Sequence, residues 1–450
     1  MSGVLGIYST TGRNVVNDLY YGMIALQHRG QESCGIAATR NRNISYIKDL
    51  GLVSEVFTDE KLAELDGDMG IAQVRYAPRG EGFRENAQPL VIRYIKGALG
   101  IAHNGSIINA AELRSDFERT GAIFQTTSDT EVMAYAIARE RINTDSVEEA
   151  ISRAMERLVG AYSVVLTSPR KLIAVKDPWG FRPLCIGRRN GDIIFASETA
   201  ALECLGATFE RELENGEIVV VEDGEVRSYS HGKPQYPKRL CVFEYIYFAR
   251  PDSVVEGQLV ARSRRLAGEI LAKEHPADCD IVIGVPDSGL QAAAGYARAL
   301  NLPCEEGIIK NRYIPRTFIK PEPESRTRAV RLKLNPMRDI IEGKRVLLVD
   351  DSLVRGTTMK IIVKSLRDAG AREVHVRISS PPFRFPCYYG TDVPEVGQLV
   401  AVGNTEEQTA RMLDADSLRY LPVDRVRDLA RDADCGLCTA CFTGDYPIEK

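Results

Sequence analysis

Two adjacent carboxylates and a glycine-threonine turn lie within one stretch of thirteen residues, Val346 to Thr358. Four apolar residues precede Asp350 and Asp351, which predicts a buried strand that ends at the acidic pair. Gly356 lets the backbone approach a phosphate, and a helix that begins after it supplies unpaired N–H groups. The two hydroxyl groups of a ribose can each donate to a fixed carboxylate. The stretch therefore predicts a sugar-phosphate site, although the acidic pair alone would equally suit a helix cap.

The same stretch resembles the phosphoribosyl pyrophosphate loop of type I phosphoribosyltransferases, and its neighbours resemble those of the amidophosphoribosyltransferase family. The segment 285–289 is similar to the family's pyrophosphate loop, and 310–313 followed by 316–319 is similar to its flexible loop. From Lys310 to Lys333 there are eight Lys or Arg and two Glu, a net of +6 in a chain whose net charge is -4. A cationic flap over pyrophosphate accounts for this charge, with a solvated basic face as the alternative. Pro315 replaces the family's usual Gly and is expected to stiffen the flap.

The resemblance implies a reaction in which ammonia displaces pyrophosphate from the anomeric carbon of 5-phosphoribosyl 1-pyrophosphate (PRPP). The product is 5-phosphoribosylamine, and the reaction is the first step of purine biosynthesis. Cationic groups and Mg²⁺ would stabilise the charge on the leaving group. The PRPP-binding residues that the resemblance implies are Asp287, Ser288, Lys310, Arg316, Asp350, Asp351, Ser352, Arg355, Gly356, Thr357 and Thr358. The implied Mg²⁺ ligands are Ser288, Asp350 and Asp351.

The N-terminal half resembles the glutaminase domain of the same family, which has an N-terminal-nucleophile (Ntn) hydrolase fold. The matching segments are 26–33, 74–76, 103–105, 128–131 and 177–184, so that the resemblance runs from Gly3 to Pro447. By this resemblance Arg75 and Asp129 hold the carboxylate and amine of glutamine. Asn104 and Gly105 form the oxyanion hole.

The nucleophile position departs from the family. Family members begin the mature chain with cysteine, whereas Ser2 follows Met1 here. A thiol with a pKa of about 8.5 supplies some thiolate near neutral pH, whereas a serine hydroxyl depends wholly on a base. The pocket differs too, because Ala72-Gln73 replaces Gly-His, Pro78 replaces Thr and Ser106 replaces Asn. We expect a weakened or lost glutaminase, with a residual Ser2-dependent activity as the alternative.

Cysteines near three segments resemble the ligands of the family's iron-sulfur branch. Cys241 opens a segment that ends in Tyr-Phe-Ala-Arg-Pro-Asp, Cys387 follows a Pro-Pro-Phe-Arg-Phe-Pro run, and Cys438 and Cys441 lie near the C-terminus. Four thiolates suit a [4Fe-4S] cluster, although zinc could use the same ligands. Cys435 is expected to be a non-ligand or an alternative ligand. The cysteines expected in the core are Cys34, Cys185, Cys204, Cys279 and Cys304.

Two domains are expected from the elements that must position these residues. Short strands mixed with a few helices predict an α+β first half, which the resemblance makes an Ntn hydrolase-like domain with an αββα sandwich. After a Pro-containing linker at 228–239, apolar strands alternate with helices, which predicts a parallel doubly wound sheet. Ligands bind such sheets at the carboxyl ends of the strands. We expect a glutamine amidotransferase-like domain at 1–235 and an α/β type I phosphoribosyltransferase domain at 236–450.

Composition argues against several other classes of protein. The hydrophobic fraction is 44% and the charged fraction 27%, as in globular proteins, and no apolar run suits a membrane span. The first residues lack the order of a signal peptide, which favours the cytoplasm. Ten cysteines in such a compartment are not expected to form disulfides. The net charge of -4 gives no reason to expect nucleic acid as a partner.

Three functions remain in competition at this stage. The leading one is a phosphoribosyltransferase that uses free ammonia or ammonia passed from another protein. The second is a non-catalytic paralogue that binds PRPP or nucleotides and regulates an active partner. The third is a glutamine amidotransferase that depends on Ser2. The resemblance also implies purine nucleotides as inhibitors and a homotetrameric assembly.

Overall fold

The computed structural model describes residues 2–76, 82–230, 236–313, 332–433 and 435–448. Several residues singled out in the sequence lie outside these ranges, namely Met1, Pro78, Pro315 and Arg316 together with the centre of the expected linker. No helix within the described ranges is both long enough and apolar enough to cross a membrane.

Two antiparallel sheets form the first half of the chain. Their strands are β1 (Gly3–Tyr8), β2 (Ser33–Arg40), β3 (Asn43–Leu50), β4 (Met69–Arg75), β5 (Leu90–Tyr94), β6 (Gly97–Ile107), β7 (Gly160–Thr167), β8 (Leu172–Lys176), β9 (Cys185–Arg189), β10 (Asp192–Ala196), β11 (Thr208–Glu212), β12 (Glu217–Glu222) and β13 (Glu225–Ser230). The seven-stranded sheet has the order β11-β9-β10-β1-β4-β2-β3. The six-stranded sheet has the order β13-β12-β8-β7-β6-β5.

Helices cover the outer faces of both sheets. They are α1 (Val16–Leu26), α2 (Val53–Val56), α3 (Asp59–Ala63), α4 (Ala110–Arg119), α5 (Asp129–Ile142), α6 (Val147–Met155) and α7 (Thr199–Cys204). The inner faces pack on each other through side chains such as Val4, Ile71 and Val165. Helix α1 packs on the seven-stranded sheet, and α4 to α6 pack on the six-stranded sheet. The resulting αββα layers confirm the fold expected for this half.

A five-stranded parallel sheet organises the second half, in the order β18-β17-β21-β22-β23. Its strands are β17 (Ile281–Gly284), β18 (Cys304–Glu305), β21 (Arg345–Asp350), β22 (Glu373–Ile378) and β23 (Ser417–Tyr420). The smaller strands are β14 (Arg239–Cys241), β15 (Val254–Val255), β16 (Gln258–Leu259), β19 (Ile308–Lys310), β20 (Leu334–Pro336) and β24 (Gly436–Cys438). The helices are α8 (Val260–Glu274), α9 (Leu290–Leu300), α10 (Arg338–Ile341), α11 (Thr357–Asp368), α12 (Glu406–Leu413) and α13 (Ala440–Thr443), and a π-helical turn spans Glu244–Phe248. The expected parallel sheet is confirmed.

Two expectations from the sequence are wrong in detail. The predicted linker begins too early, because residues 228–230 pair with β12 as the end of β13. Cys204 and Cys304 are exposed, whereas Cys34, Cys185 and Cys279 are buried as expected. Cys204 ends the short helix α7, and Cys304 lies on an edge strand, so that neither side chain faces a core.

Glycine allows α8 and α9 to pack with their backbones in contact. A Cβ atom on Gly268 of α8 would lie 1.8 Å from the carbonyl oxygen of Ala292 on α9. A Cβ atom on Gly295 of α9 would lie 2.0 Å from the carbonyl oxygen of Arg265 on α8. Since backbone atoms cannot move aside as a side chain can, this close packing fixes the position of α9 and of the loop that precedes it.

Substituting Gly268→Ala is expected to lower the free energy of unfolding by at least about 1–3 kcal/mol, because the methyl group overpacks the helix contact. Urea unfolding followed by circular dichroism measures the change. Gly397→Ala is the matched control, since a Cβ atom there meets nothing within 4 Å. Equal effects of the two substitutions would contradict the expectation.

A buried group of charges joins the two halves. The ammonium group of Lys176 on β8 lies 3.1 Å from Glu256, and that of Lys238 lies 2.8 Å from the same carboxylate. Oε1 of Glu212 accepts from the backbone N–H of Glu256 at 3.3 Å. Oε2 of Glu212 has no partner among the described residues. Burial raises the pKa of Glu212 to about 7, with the Glu256 charge adding to it and Lys176 opposing it.

Glu212 therefore makes stability depend on pH. Its carboxyl holds a proton more tightly in the folded protein than in the unfolded chain, where the pKa is near 4.5. Stability falls as pH rises between these two values, and a glutamine escapes this loss because it does not ionise. We expect Glu212→Gln to gain stability relative to wild type, by roughly 1–3 kcal/mol, between pH 5 and 8. Thermal unfolding at several pH values measures the difference, with Glu225→Gln as an exposed control; a difference that does not change with pH would refute it.

Candidate functional site

Two loops meet at the carboxyl edge of the parallel sheet. Strand β21 ends at Asp350, and α11 begins at Thr357 after Gly356, which has a φ of 78°. The neighbouring strand β17 leads into the loop 285–289. The N–H of Val285 donates to the carbonyl oxygen of Val349 at 2.8 Å, so that the two loops begin side by side. The predicted phosphate loop and pyrophosphate loop are therefore adjacent.

The acidic pair lies at the junction of these loops. Asp351 accepts hydrogen bonds from the hydroxyls of Ser288 and Ser352. Asp350 Oδ1 accepts from the backbone N–H of Asp351 at 2.9 Å. Burial raises the pKa of both carboxyls, and the charge of Asp351 raises that of Asp350 further. The structure thus brings together four of the predicted side chains in a setting where an added positive charge would be stabilised.

The other predicted residues surround this junction less tightly. Lys310 forms an ion pair with Asp287 on the pyrophosphate loop. Arg355 donates from Nε to Gln398 at 3.0 Å. Thr357 and Thr358 are exposed at the first turn of α11, where helix N–H groups are unpaired. Arg316 lies outside the described residues, as does the rest of its predicted segment.

A second site lies at the edge of the first half, around Ser2. The backbone N–H of Ser2 donates to Oδ1 of Asn104 at 3.0 Å, and Nε of Arg29 donates to the carbonyl oxygen of Ser2 at 3.0 Å. Asn104 is fully buried, and its Nδ2 has no partner among the described residues. An unpaired amide donor next to a nucleophile position can stabilise an oxyanion. Gly105 follows on the same strand.

Asp129 and Arg75 lie close to this position. Oδ2 of Asp129 accepts from the N–H of Ile107 at 2.9 Å. Burial would raise the pKa of Asp129, but the His103 imidazole, the Ile107 N–H and the Arg75 charge together lower it. Gln73, which replaces the family's His, is fully buried and donates to the carbonyl oxygen of His103. The predicted glutamine-pocket residues therefore lie near one another. Gln73 lies on β4, the strand that ends at Arg75.

Sequence reasoning missed a set of buried charges beneath Ser2. Nη1 of Arg29 lies 2.5 Å from Glu198, and Nη2 lies 3.0 Å from Glu244 of the second half. Glu198 also accepts from His28 and Ser253. Burial would raise the pKa of Glu198, but His28 and Arg29 lower it well below its usual range. Charged residues within otherwise apolar segments were the signal in the sequence that could have indicated these buried ion pairs.

A further buried arginine, Arg264, was also missed. It lies on α8 and donates to the carbonyl oxygens of Tyr245 at 2.9 Å and Ala249 at 2.7 Å. Its charge lowers the pKa of Asp351 against the effect of burial. Arg264 therefore links the π-helical turn to the acidic pair of the phosphate loop.

Four cysteines converge between the two halves. Cys241 on β14 is paired in register with Cys438 on β24, and backbone N–H groups of Arg384 and Phe385 donate to the carbonyl oxygen of Cys441. Burial raises the pKa of the Cys438 and Cys441 thiols, and the thiols of Cys241 and Cys387 raise them further. Cys441 packs in one apolar cluster with Cys241 and Cys387, and Cys438 packs with Cys387 in another. The four predicted ligands are therefore neighbours.

The charges that act on Cys435 differ from those that act on the other four cysteines. Burial raises the pKa of Cys435 to about 11, and its charged neighbours are Glu256, Lys238 and Lys176. In the described part of the chain, no group of three or more His, Cys, Asp or Glu side chains could hold a single metal ion.

Two protein-family models match the chain. The model described as a glutamine amidotransferase domain matches residues 78–204. The model described as a phosphoribosyl transferase domain matches residues 253–379. The first range contains Asn104, Gly105 and Asp129, and the second contains both loops of the parallel sheet.

Full-length relatives and solved structures are also similar. The chain is 46% identical to an amidophosphoribosyltransferase of Methanocaldococcus jannaschii, covering 100% of this chain and 98% of the relative. It is 44% identical to one of Methanothermobacter thermautotrophicus, covering 99% and 94%. A structure of glutamine phosphoribosylpyrophosphate amidotransferase from B. subtilis, in complex with ADP and GMP, is 43% identical with a TM-score of 0.92, covering 99% and 97%. A structure described as the allosteric regulatory enzyme of purine biosynthesis has a TM-score of 0.93 at 43% identity, covering 99% and 96%.

Gly356→Ala is expected to weaken binding of ribose 5-phosphate to the phosphate loop. A non-glycine residue in this left-handed conformation costs about 1–2 kcal/mol. Relaxation of that strain displaces the N–H groups that face the ligand, so that the dissociation constant should rise roughly tenfold. Isothermal titration calorimetry measures it.

Gly343→Ala is the matched control for this substitution. Its φ of 75° imposes the same backbone cost, and a Cβ atom there meets nothing within 4 Å. It precedes β21, at the opposite edge of the sheet from the phosphate loop. The control should lose stability but bind ribose 5-phosphate as wild type does; a similar loss of binding would contradict the assignment.

Proposed function

The chain belongs to the amidophosphoribosyltransferase family, and from this we propose that it forms 5-phosphoribosylamine by displacing pyrophosphate from PRPP with ammonia. The reaction is the first step of purine biosynthesis. The observation that carries the proposal is the meeting of the loops 285–289 and 350–358 around Asp350, Asp351 and Ser288. This pocket has the acidic pair, the glycine and the helix N-terminus that a sugar phosphate requires.

In this proposal different residues bind the ribose, the 5-phosphate and the pyrophosphate of PRPP. The carboxylates of Asp350 and Asp351 accept from the ribose hydroxyls, and the first turn of α11 with Ser352 and Arg355 holds the 5-phosphate. Ser288, Lys310 and Arg316 bind the pyrophosphate, and Asp287 orients Lys310 through their ion pair. Displacement builds positive charge on the ribose and negative charge on the leaving group, so that fixed charges of the opposite sign lower the barrier. Exclusion of water prevents hydrolysis of the donor.

Ser288, Asp350 and Asp351 would hold Mg²⁺. Oxygen donors suit this ion, and the buried acidic pair favours a cation beside it. When bound, the ion neutralises charge on the pyrophosphate. The protein groups themselves fix the orientation of the ribose through the hydrogen bonds that Ser288 and Ser352 donate to Asp351.

Ammonia reaches the enzyme free or from another protein in this proposal, because the glutaminase half is weakened or lost. Arg75 and Asp129 keep the charges for binding glutamine, and Asn104 with Gly105 keeps an oxyanion hole. Ser2 lacks the thiolate that makes cysteine reactive near neutral pH.

A [4Fe-4S] cluster held by Cys241, Cys387, Cys438 and Cys441 is part of the proposal. Cys387 packs against two apolar clusters, one that contains Cys441 and is contacted by Cys241 and one that contains Cys438, so that the four residues come together from three segments. A [4Fe-4S] cluster takes one thiolate at each of its four iron atoms. When bound, the cluster would tie together β14, β24 and the segment around Cys387. Cys435, which is near Lys238, stays a non-ligand or an alternative ligand in this proposal.

The remaining features follow the family. We propose inhibition by purine nucleotides, since the similar B. subtilis structure contains ADP and GMP, and assembly as a homotetramer. Ten free cysteines support a reducing compartment, for which the cytoplasm is proposed. The division at 235/236 into an amidotransferase-like and a phosphoribosyltransferase domain also stays a proposal. Its support is that β13 ends at Ser230 and β14 begins at Arg239.

Pyrophosphate release and phosphoribosylamine formation, measured with ammonium chloride and separately with glutamine, test the proposed function. We expect turnover with ammonium in mildly alkaline buffer, where neutral ammonia is available, and none above background with glutamine. Ser2→Ala should leave the ammonium-dependent rate unchanged, because the hydroxyl lies outside the PRPP pocket. Ser2→Cys serves as the matched variant that restores a thiol at the same position.

The outcomes separate the three functions. Tight nucleotide binding without pyrophosphate release from either nitrogen source would favour a non-catalytic paralogue. Glutamate release that disappears in Ser2→Ala would establish a serine-dependent amidotransferase. Glutamine-dependent turnover that appears in Ser2→Cys would show that the pocket around Gln73 and Ser106 is intact and that only the nucleophile has been lost.

A further inference from the structure

Arg182 is a fully buried arginine, and two of its three side-chain nitrogens have no hydrogen-bond partner in the described part of the chain. Its side chain has 0% exposure. Nη2 donates to the carbonyl oxygen of Tyr389 and lies 3.4 Å from Oγ1 of Thr391. Nε and Nη1 have no hydrogen-bond partner among the described residues. The nearest carboxylate, Glu244, lies 3.7 Å from Nη1.

Glu244 does not satisfy this guanidinium. Both of its oxygens accept from Arg29, each at 3.0 Å. Arg182 is therefore left with two unpaired nitrogens and a positive charge that is only partly compensated. Leaving such donors unpaired inside a protein costs on the order of 1–3 kcal/mol each, and more for a charged group. Buried charges are as a rule paired or bound to a metal centre, which indicates that Arg182 has a further partner.

The contacts around Arg182 indicate that this partner lies on the side of the cysteines. Phe181, the preceding residue, accepts at its carbonyl oxygen from the N–H of Cys241 at 3.1 Å. Tyr389, which accepts from Arg182, donates its N–H to the sulfur of Cys387 at 3.4 Å. Cys241 thus contacts the residue before Arg182, and Cys387 contacts Tyr389, which accepts from Arg182.

Thr391 connects the guanidinium to a thiol directly. Its hydroxyl lies 3.4 Å from Nη2 of Arg182 and 4.0 Å from the sulfur of Cys241. Arginine has only donors, so that the hydroxyl accepts from Arg182 and its own hydrogen can point to the sulfur. Cys241 is in turn paired in register with Cys438.

We propose that Arg182 is a positioning residue for the iron-sulfur cluster, toward which its positive charge acts through the side of the guanidinium that contacts Thr391 and Tyr389. The inference rests on the cluster that is part of the proposed function. Donors and positive charge near cluster sulfur stabilise the reduced, more negative state, so that Arg182 raises the reduction potential. Because Arg182 belongs to the first half of the chain, that half completes the surroundings of a cluster whose thiolates all come from the second half.

Close packing holds the arginine in this position. A Cβ atom on Gly390 would lie 3.0 Å from the carbonyl carbon and oxygen of Gly105 and 3.3 Å from Nη2 of Arg182. The segment that follows Cys387 therefore fits between the oxyanion strand and the guanidinium without room for a side chain. Phe181 stacks on Tyr389 with ring centroids 4.5 Å apart, which adds a second contact between the same two segments.

The test compares Arg182→Met with Arg377→Met in the full-length protein purified without oxygen. Arg377 is also buried, at 3% exposure, but its nitrogens donate to His275, Val376 and Ser417 on another side of the sheet. Iron and sulfide content is measured first, and the cluster is then titrated with a reductant under EPR. We expect Arg182→Met to lower the equilibrium constant for reduction at least about tenfold, which is 59 mV for a one-electron couple. Arg377→Met should match wild type, and Arg182→Lys should lie closer to wild type than Arg182→Met does.

The outcomes distinguish a failure of the role of Arg182 from a failure of the proposed iron-sulfur cluster. Wild-type protein that holds zinc, or no iron and sulfide, would remove the cluster from the proposed function. A cluster whose potential is the same in Arg182→Met and Arg377→Met would overturn the role of Arg182 alone. If Arg182→Met does not fold, Arg182→Gln replaces it, since that change removes the charge and keeps a polar side chain. A lowered potential is then expected, and an unchanged one overturns the role.

Discussion

The guanidinium of Arg29, held between Glu198 and Glu244, is the contact on which the arrangement of the two halves depends. All three side chains are fully buried, and they come from both halves of the chain. Charges removed from water are tolerated only when they are paired, and removal of one partner from such a group costs about 3–5 kcal/mol. The halves can therefore dock in one relative position, because any other would leave buried charges unmatched.

The buried charges around Arg29 affect both the region of Ser2 and the phosphate loop. Arg29 also donates to the carbonyl oxygen of Ser2, so that the nucleophile position is fixed by the same guanidinium that binds Glu244. Glu244 lies three residues after Cys241, in the π-helical turn where the carbonyl oxygen of Tyr245 accepts from Arg264. Arg264 in turn acts on the charge of Asp351. Fixed contacts thus run from Ser2 to the π-helical turn and to Arg264, whose charge acts on the phosphate loop.

The first half therefore has a structural role that does not need a reactive cysteine. Ser2 keeps its backbone contacts to Asn104 and Arg29, although its hydroxyl is a poor nucleophile. Arg182 and Gly105 of this half pack on the segment that follows Cys387. Loss of glutamine hydrolysis would leave these contacts intact, which gives a physical reason for a chain to retain the whole half.

The elements, and the chemistry that is local in the chain, can be predicted from the residues alone. Periodicity predicts strands at Gly3–Tyr8 and Glu373–Ile378 and a helix at Leu290–Leu300, which are the observed bounds of β1, β22 and α9. The stretch from Val346 to Thr358 contains its own strand, turn and helix start. Tertiary structure alone decided the buried charge pairs. Arg29 lies 169 residues from Glu198 and 215 from Glu244, and a charged residue in a sequence does not specify a distant partner. The exposure of Cys204 and Cys304 was likewise decided by which surfaces other elements leave uncovered, because a cysteine suits a core and a surface equally well in the local pattern.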